Sequence, residues 1–205
     1  MTRMSASERR ELLVEAAIRV MTRDGVAKAT TRAIAAEAEM PLGVFHYAFR
    51  SKQELMTMVT ETIARQSKTE IDAAVLGDGP PELLDLALAG VSAYFDHVVQ
   101  HPLEHLVTYE LTTNALRDEE LLDVAKRQYE YYLEQNAALL EALGELLGLE
   151  FTEPLPVVNR YIFSVMDGLA LNWLAKGDEE EARAVLDVLA RTLTTLVRPR
   201  GGADD

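Results

Sequence analysis

The sequence predicts an all-α fold of about nine helices, and three observations carry that expectation. Apolar residues recur at spacings of three and four along nearly all of the 205 residues, no segment alternates apolar and polar as a half-buried strand does, and Gly and Pro are sparse, at 11 and 7. A composition of 48% hydrophobic and 26% charged residues suits a folded globular chain and excludes a disordered or fibrous one. With no cysteine, disulfide frameworks, thiolate zinc sites and Cys nucleophiles are all excluded. Charges appear in the first ten residues before any apolar run, and no stretch of about eighteen apolar residues could span a bilayer, so a cytoplasmic protein with no membrane partner is expected.

Each helix has its own warrant. The first, over 7–24, places Leu12, Leu13, Ala16, Ala17, Val20 and Met21 on one stripe and ends at Gly25. Thr31 is read as the N-cap of a short helix through 38 whose buried positions are Ile34, Ala35 and Ala38. After a turn at Glu39 and Met40, Pro41 occupies a first-helical position and a second short helix covers 42–49. Ser51 and Glu54 form a Ser-x-x-Glu capping box that opens a long helix over 52–73. The Gly77, Asp78, Gly79, Pro80, Pro81 cluster is the clearest break, and helices are expected at 82–100, 102–116, 119–147, 156–175 and 179–197. Pro199 and the residues after it read as a frayed tail. The expected organisation is an N-terminal domain over 1–50, a C-terminal helical domain over 51–199 whose first part, 51–73, is a linking helix, and a tail over 200–205.

Charge divides the chain in the same place. The net charge of −14 argues against a polyanionic partner if spread evenly, but residues 1–55 hold nine Lys/Arg against seven Asp/Glu, a net of +2, while the other 150 hold 11 against 27, a net of −16. Such asymmetry points to separate tasks.

Residues 30–55 carry the chemistry. Two short helices about a tight turn, with one helix in front and a capped helix behind, make a helix-turn-helix whose second short helix can enter a major groove about 12 Å wide. Ala35, Ala36 and Ala38 allow the helices to cross closely, and Pro41, Leu42, Gly43 and Val44 leave the reading end free of bulk. Gly43 costs about 1 kcal/mol of helix propensity relative to Ala, which suggests a close approach by something else. Thr30, Thr31, Arg32, His46, Tyr47 and Lys52 supply phosphate donors, although each alone is an ordinary cap or solvated residue.

The run TTRAIAAEAEMPLGVFHYAFRSKQEL over 30–55 resembles the DNA-binding signature of the TetR family of one-component transcriptional regulators (TetR/AcrR type). The resemblance implies an N-terminal three-helix DNA-binding domain and a C-terminal helical ligand-binding and dimerisation domain. It further implies that Thr31, His46, Tyr47 and Lys52 hold the DNA backbone, that Pro41, Leu42 and Gly43 lie against base edges, and that Ile34, Ala38, Phe45, Phe49 and Leu55 are core. Two positions depart from the pattern. Position 39 is Glu where Gly is usual, so either strain of about 1–2 kcal/mol or an altered turn is expected, and His46 stands where Tyr is common.

The acidic remainder is read as the effector and dimerisation part. Apolar pairs at Val157/Val158, Tyr161/Ile162, Val165/Met166, Leu169/Ala170 and Trp173/Leu174 drift around a helix that should be buried on two sides. With Leu186, Leu189, Leu193 and Leu196 of the last helix, and with Gly168 permitting close approach, Tyr161, Val165 and Leu169 would form a two-fold four-helix bundle; a purely internal core is the alternative. Polar and aromatic residues at Tyr94, Tyr109, Thr113, Asn114, Tyr129, Tyr132, Asn136 and Trp173 suit a pocket for an unidentified small effector. His97, His101 and His105 are spaced by four, but Pro102 interrupts the helix between them, so no metal is expected, and no cofactor either. No Glu-x-x-His pair, Gly-x-Ser-x-Gly elbow or phosphate-cradling Gly loop occurs, so catalysis is not expected. The expectation is a homodimeric, ligand-responsive regulator, a repressor acting on a palindromic operator of double-stranded DNA. Its alternative is a helical ligand carrier or adaptor that does not bind DNA.

Overall fold

The computed structural model describes residues 4–75 and 82–201. Among them are nine α-helices, a single 3-10 turn and one pair of short strands. The Gly77–Pro81 break read from the sequence and residues 202–205 of the expected tail lie outside the described residues. No helix among the described residues is long and apolar enough to cross a membrane. The helices separate into two compact units that do not follow chain order: residues up to 65 with 101–130, and residues 66–100 with 131 onward.

The first unit opens with α1 (Ala6–Asp24), capped by Ser5. The Glu8 amide donates to Ser5 Oγ at 3.1 Å and the Ser5 amide donates to the Glu8 carboxylate at 2.6 Å, which satisfies two orphan donors at once. Gly25, at φ +86°, ends the helix by donating to Met21 O, and Val26–Lys28 form the 3-10 turn. The next helix, α2 (Thr31–Glu37), is capped by Thr30 rather than Thr31: the Ala33 amide donates to Thr30 Oγ1 at 3.2 Å, so Thr31 is the first helical residue. Adjacent threonines are chemically equivalent as caps, and extended backbone at Thr30, with φ −77° and ψ 156°, decides between them. Glu39 takes φ +54°, the left-handed backbone that favours glycine, and the sequence's departure at this position is therefore met by strain and not by a different turn. Pro41 stands one place before α3 (Leu42–Ala48), at the N-cap and not inside the helix.

Ser51 caps α4 (Lys52–Val75) with its hydroxyl, which accepts the Glu54 amide at 3.1 Å. The reciprocal half of the expected capping box is displaced by one residue, because the Glu54 carboxylate accepts the Arg50 amide at 2.8 Å. Leu13, Ala17, Met21, Ile34, Phe45, Phe49, Leu55 and Val59 form one apolar core with Val107, Leu111 and Ala115 of α6 (Pro102–Ala115) and Val124 of α7 (Leu122–Leu147). The Glu110 carboxylate of α6 accepts the Val26 amide at 2.9 Å, closing the same unit.

The second unit is built on α5 (Leu83–Gln100), α8 (Leu155–Lys176) and α9 (Glu179–Thr195), with α5 packed extensively on α9. Its core joins Val91 and Phe95 to Val158, Ile162, Met166, Leu186, Leu189 and Ala190. Two strands that the sequence did not suggest, β1 (Leu149–Phe151) and β2 (Val197–Pro199), pair antiparallel with Leu149 opposite Pro199, and the Arg200 amide donates to Gly148 O at 2.8 Å. Three residues are too few to display alternation, and Pro199, read as the start of the tail, is accommodated because a two-stranded ribbon consists only of edges.

Candidate nucleic-acid interface

Every residue expected to touch DNA lies in the first unit, on α2, α3 and the start of α4 or, for Thr30 and Pro41, at the N-caps of α2 and α3. The recognition helix α3 has two unlike faces. Val44, Phe45, Ala48 and Phe49 turn into the core, where the Phe45 and Phe49 rings lie 5.4 Å apart. Gly43, His46 and Tyr47 turn out, and Tyr47 is 96% exposed, so burial within this chain gives no reason for an aromatic residue there. A Cβ built at Gly43 would meet nothing within 4 Å, so the small residue is not demanded by the chain's own packing. Pro41, Thr30, Thr31, Arg32 and Lys52 are exposed around it and Leu42 is half-buried.

The cations on and around α2 and α3 divide into two sets. Arg19 and Arg23 both reach Glu37, at 3.0 and 2.8 Å, and Arg23 also pairs with Asp24 at 2.8 Å, tying α1 to the end of α2. Hydrogen bonds from Arg23 and then Arg19 hold the Glu37 carboxyl below the usual carboxylate range. Arg10 pairs with Glu54 at 2.6 Å. Glu54 is likewise held low, first by the Arg50 amide and then by the Arg10 guanidinium. Lys28, Arg32, Arg50 and Lys52 have no carboxylate within ion-pairing distance among the described residues, and it is this set that can neutralise phosphate. Sequence reasoning assigned no role to Arg10. Its signal was present, since position 10 lies on the stripe of Leu13, Ala17 and Met21, where a charge calls for a partner.

The residues expected to line an effector pocket split between the units. In the first, the Tyr109 ring meets His105 edge-on at 5.4 Å, Thr113 is exposed with its hydroxyl donating to carbonyls of its own helix, Asn114 is exposed and Tyr129 is half-buried. In the second, Tyr94 packs on the core, Tyr132 lies 5.8 Å from the Phe163 ring, and the Asn136 amide donates at 2.6 Å to buried Asn159, which donates to Leu133 O. Trp173 meets Phe95 edge-on at 5.7 Å. Tyr132 and Asn136 are therefore brought together, one turn apart on α7 and both against α8.

The residues expected at a dimer interface also sort by burial. Leu186 and Leu189 are interior to the chain's own second core, which corrects their expected role: a residue 1% exposed already has its neighbours. Val165, Leu169, Leu193 and Leu196 are half-buried against that core, whereas Tyr161 and Gly168 are exposed. Beside them Leu171 and Val188, which the sequence reading did not select, are 50% and 55% exposed, and Val157, the first of the apolar pairs expected to be covered, is 57% exposed within this chain. Gly168 lies in an open groove of about 410 Å³ between α8 and α9, lined also by Ser164, Asn172, Trp173 and Val185.

A seven-residue helix with an apolar back and an outward face of Gly, His and Tyr, flanked by unpaired cations, defines a helix-turn-helix DNA-binding regulator. Comparison with known proteins agrees. The profile of bacterial regulatory proteins of the tetR family matches residues 13–59, and that of the tetracyclin repressor-like C-terminal domain matches 82–195. The chain belongs to the TetR family. It is 29% identical over 187 residues, 91% of this chain and 94% of the other, to the HTH-type nicotine-responsive transcriptional repressor HdnoR of Paenarthrobacter nicotinovorans. Among solved structures it is similar to the multidrug binding protein EbrR complexed with imidazole, at 31% identity, TM-score 0.66 and coverage of 89% of each chain. The same protein complexed with ethidium aligns at 31% identity and TM-score 0.65, over 89% of this chain and 98% of the other.

Proposed function

We propose that this DNA-binding regulator is a homodimeric repressor of a palindromic operator, released by a nitrogen-bearing aromatic effector bound in its C-terminal domain. The observation that carries the DNA contact is the exposure of Tyr47 on α3, beside His46 and the open space over Gly43. Thr31, His46, Tyr47 and Lys52 hold phosphates, with Thr30 and Arg32 at the adjoining helix start. The Thr30 oxygen that caps α2 still has its hydroxyl proton to donate. Pro41, Leu42 and Gly43 meet base edges.

Dimerisation through the exposed aliphatic residues of α8 and α9 places two reading heads about 34–36 Å apart, one turn of DNA, which is why the operator is an inverted repeat. The effector class is supported by the acidic remainder of the chain, by its tyrosines, and by relatives named for nicotine, imidazole and ethidium. Of the residues expected to line the pocket, Tyr94, Tyr132, Asn136 and Trp173 belong to the second unit and are the candidate contacts. Release from almost full occupancy to almost none requires the effector to prefer the DNA-incompetent state by about 5.5 kcal/mol.

The test is selection of bound duplexes from a random pool, repeated with nicotine and with ethidium. An inverted repeat recovered without ligand and lost with one supports the reading. Absence of salt-dependent retardation of any duplex instead identifies a ligand carrier.

A further inference from the structure

From the joint at Arg10 we infer that this residue is the positioning residue of the recognition helix, coupling its aim to α4 through Glu54; the inference rests on the DNA-binding reading above. The helix it positions has seven residues, too few to be stable or to hold a direction by itself, so its orientation is set by what grips it. Phe45 and Phe49 grip one face by packing, with Val44 and Ala48 beside them, and apolar packing is non-directional where a hydrogen bond is not. The second grip is polar and comes from another helix.

Arg10 Nη1 donates to Ala48 O at 2.8 Å, capturing a carbonyl of the last turn that has no partner within the helix. Nη2 of the same guanidinium donates to Glu54 Oε1 at 2.6 Å and lies 3.1 Å from Met58 Sδ, both on α4. Its carbon sits 5.1 Å from the centre of the Phe49 ring. The other Glu54 oxygen accepts the Arg50 amide in the link between α3 and α4. One planar cation thus joins α1, the end of α3 and the first turns of α4, and both partners are about two-thirds withdrawn from solvent, at 32% and 29% side-chain exposure. Charge-assisted bonds in such a setting are directional. Any displacement of α4 moves Glu54, and through the shared guanidinium and the Arg50 amide it must move the end of the reading helix. Lysine could replace the charge but not the fork, since a single ammonium cannot repeat both guanidinium directions.

The experiment uses the full-length protein with Arg10→Lys, Arg10→Gln, Glu54→Gln and the double variant Arg10→Gln/Glu54→Gln. Affinity is measured for the inverted repeat selected by the wild type and for an unrelated duplex, beside melting temperature and amide exchange in the free protein. Each single variant should weaken the selected repeat about tenfold, leave the unrelated duplex and the salt slope unchanged, and speed exchange at residues 45–50 without speeding it in α1. The double variant should be no worse than the worse single one.

Equal losses on both duplexes, a salt slope lower by about one, or full activity of Arg10→Lys would make Arg10 a phosphate contact and overturn the assignment. Loss in proportion to lowered melting temperature would make it merely structural and do the same. If the wild type selects no duplex, the DNA-binding reading fails instead; the exchange arm then still decides whether Arg10 and Glu54 hold residues 45–50.

Discussion

Helix α3 and the pair α8 and α9 differ in the side chains they expose, and the contrast bears on the roles proposed for them. On α3 the outward residues are Gly43, His46 and Tyr47, small or hydrogen-bonding, with unpaired cations nearby. On α8 and α9 four aliphatic side chains, Val157, Leu171, Val185 and Val188, stand exposed among polar ones such as Ser164, Asn172 and Asp187. A polyanion rewards donors and close backbone approach, whereas a second protein surface rewards apolar area. Burial inside the chain tells the same story by difference: Leu186 is interior while Val185 and Val188, one and two positions away on the same helix, are not.

The largest expected effect tests that difference within α9. Leu186→Ala should cost about 2–5 kcal/mol of unfolding free energy in a denaturant titration, because it opens a cavity in a filled core. Val185→Glu with Val188→Glu should leave the fold intact but yield monomers in sedimentation, with operator affinity lower by on the order of a hundredfold as two linked half-sites become one. Dimers that persist in this variant would move the interface elsewhere.

On the head, Tyr47→Ala should weaken operator binding about tenfold, with a stability change inside about 0.5 kcal/mol. A large fall in melting temperature would show that Tyr47 is structural after all. Glu39→Gly relieves a left-handed backbone in a residue other than glycine, and should raise the melting temperature by about 2–4 °C. The smallest effect is pH dependence. Glu54 and Glu37 sit below their ordinary carboxyl value of 4.5, so their contribution is complete above about pH 4.5 and fades as acid protonates the folded form. Chemical denaturation followed from pH 6 downward should show this loss, and Glu54→Gln should diminish it.

Much of this was legible beforehand because it is local. Helical spacing placed nine helices, and the run over 30–55 placed the reading helix and its core positions Ile34, Phe45 and Phe49. The misreadings were choices between near equals: Thr30 or Thr31 as cap, Glu54 returning to Ser51 or to Arg50, Leu186 facing its own core or another chain. Each depends on a backbone angle or on a neighbour distant in sequence.

By itself, then, the sequence determined helices, their order and the chemistry of the recognition face, since helical periodicity and capping act over three or four residues. Only the tertiary structure decided that 101–130 pack with the N-terminal helices, that Arg10 joins Ala48 to Glu54 across 38 and 44 residues, and which side of α9 is left uncovered. Periodicity marks an apolar face without naming what covers it, and a charge on that face announces a need without identifying the partner.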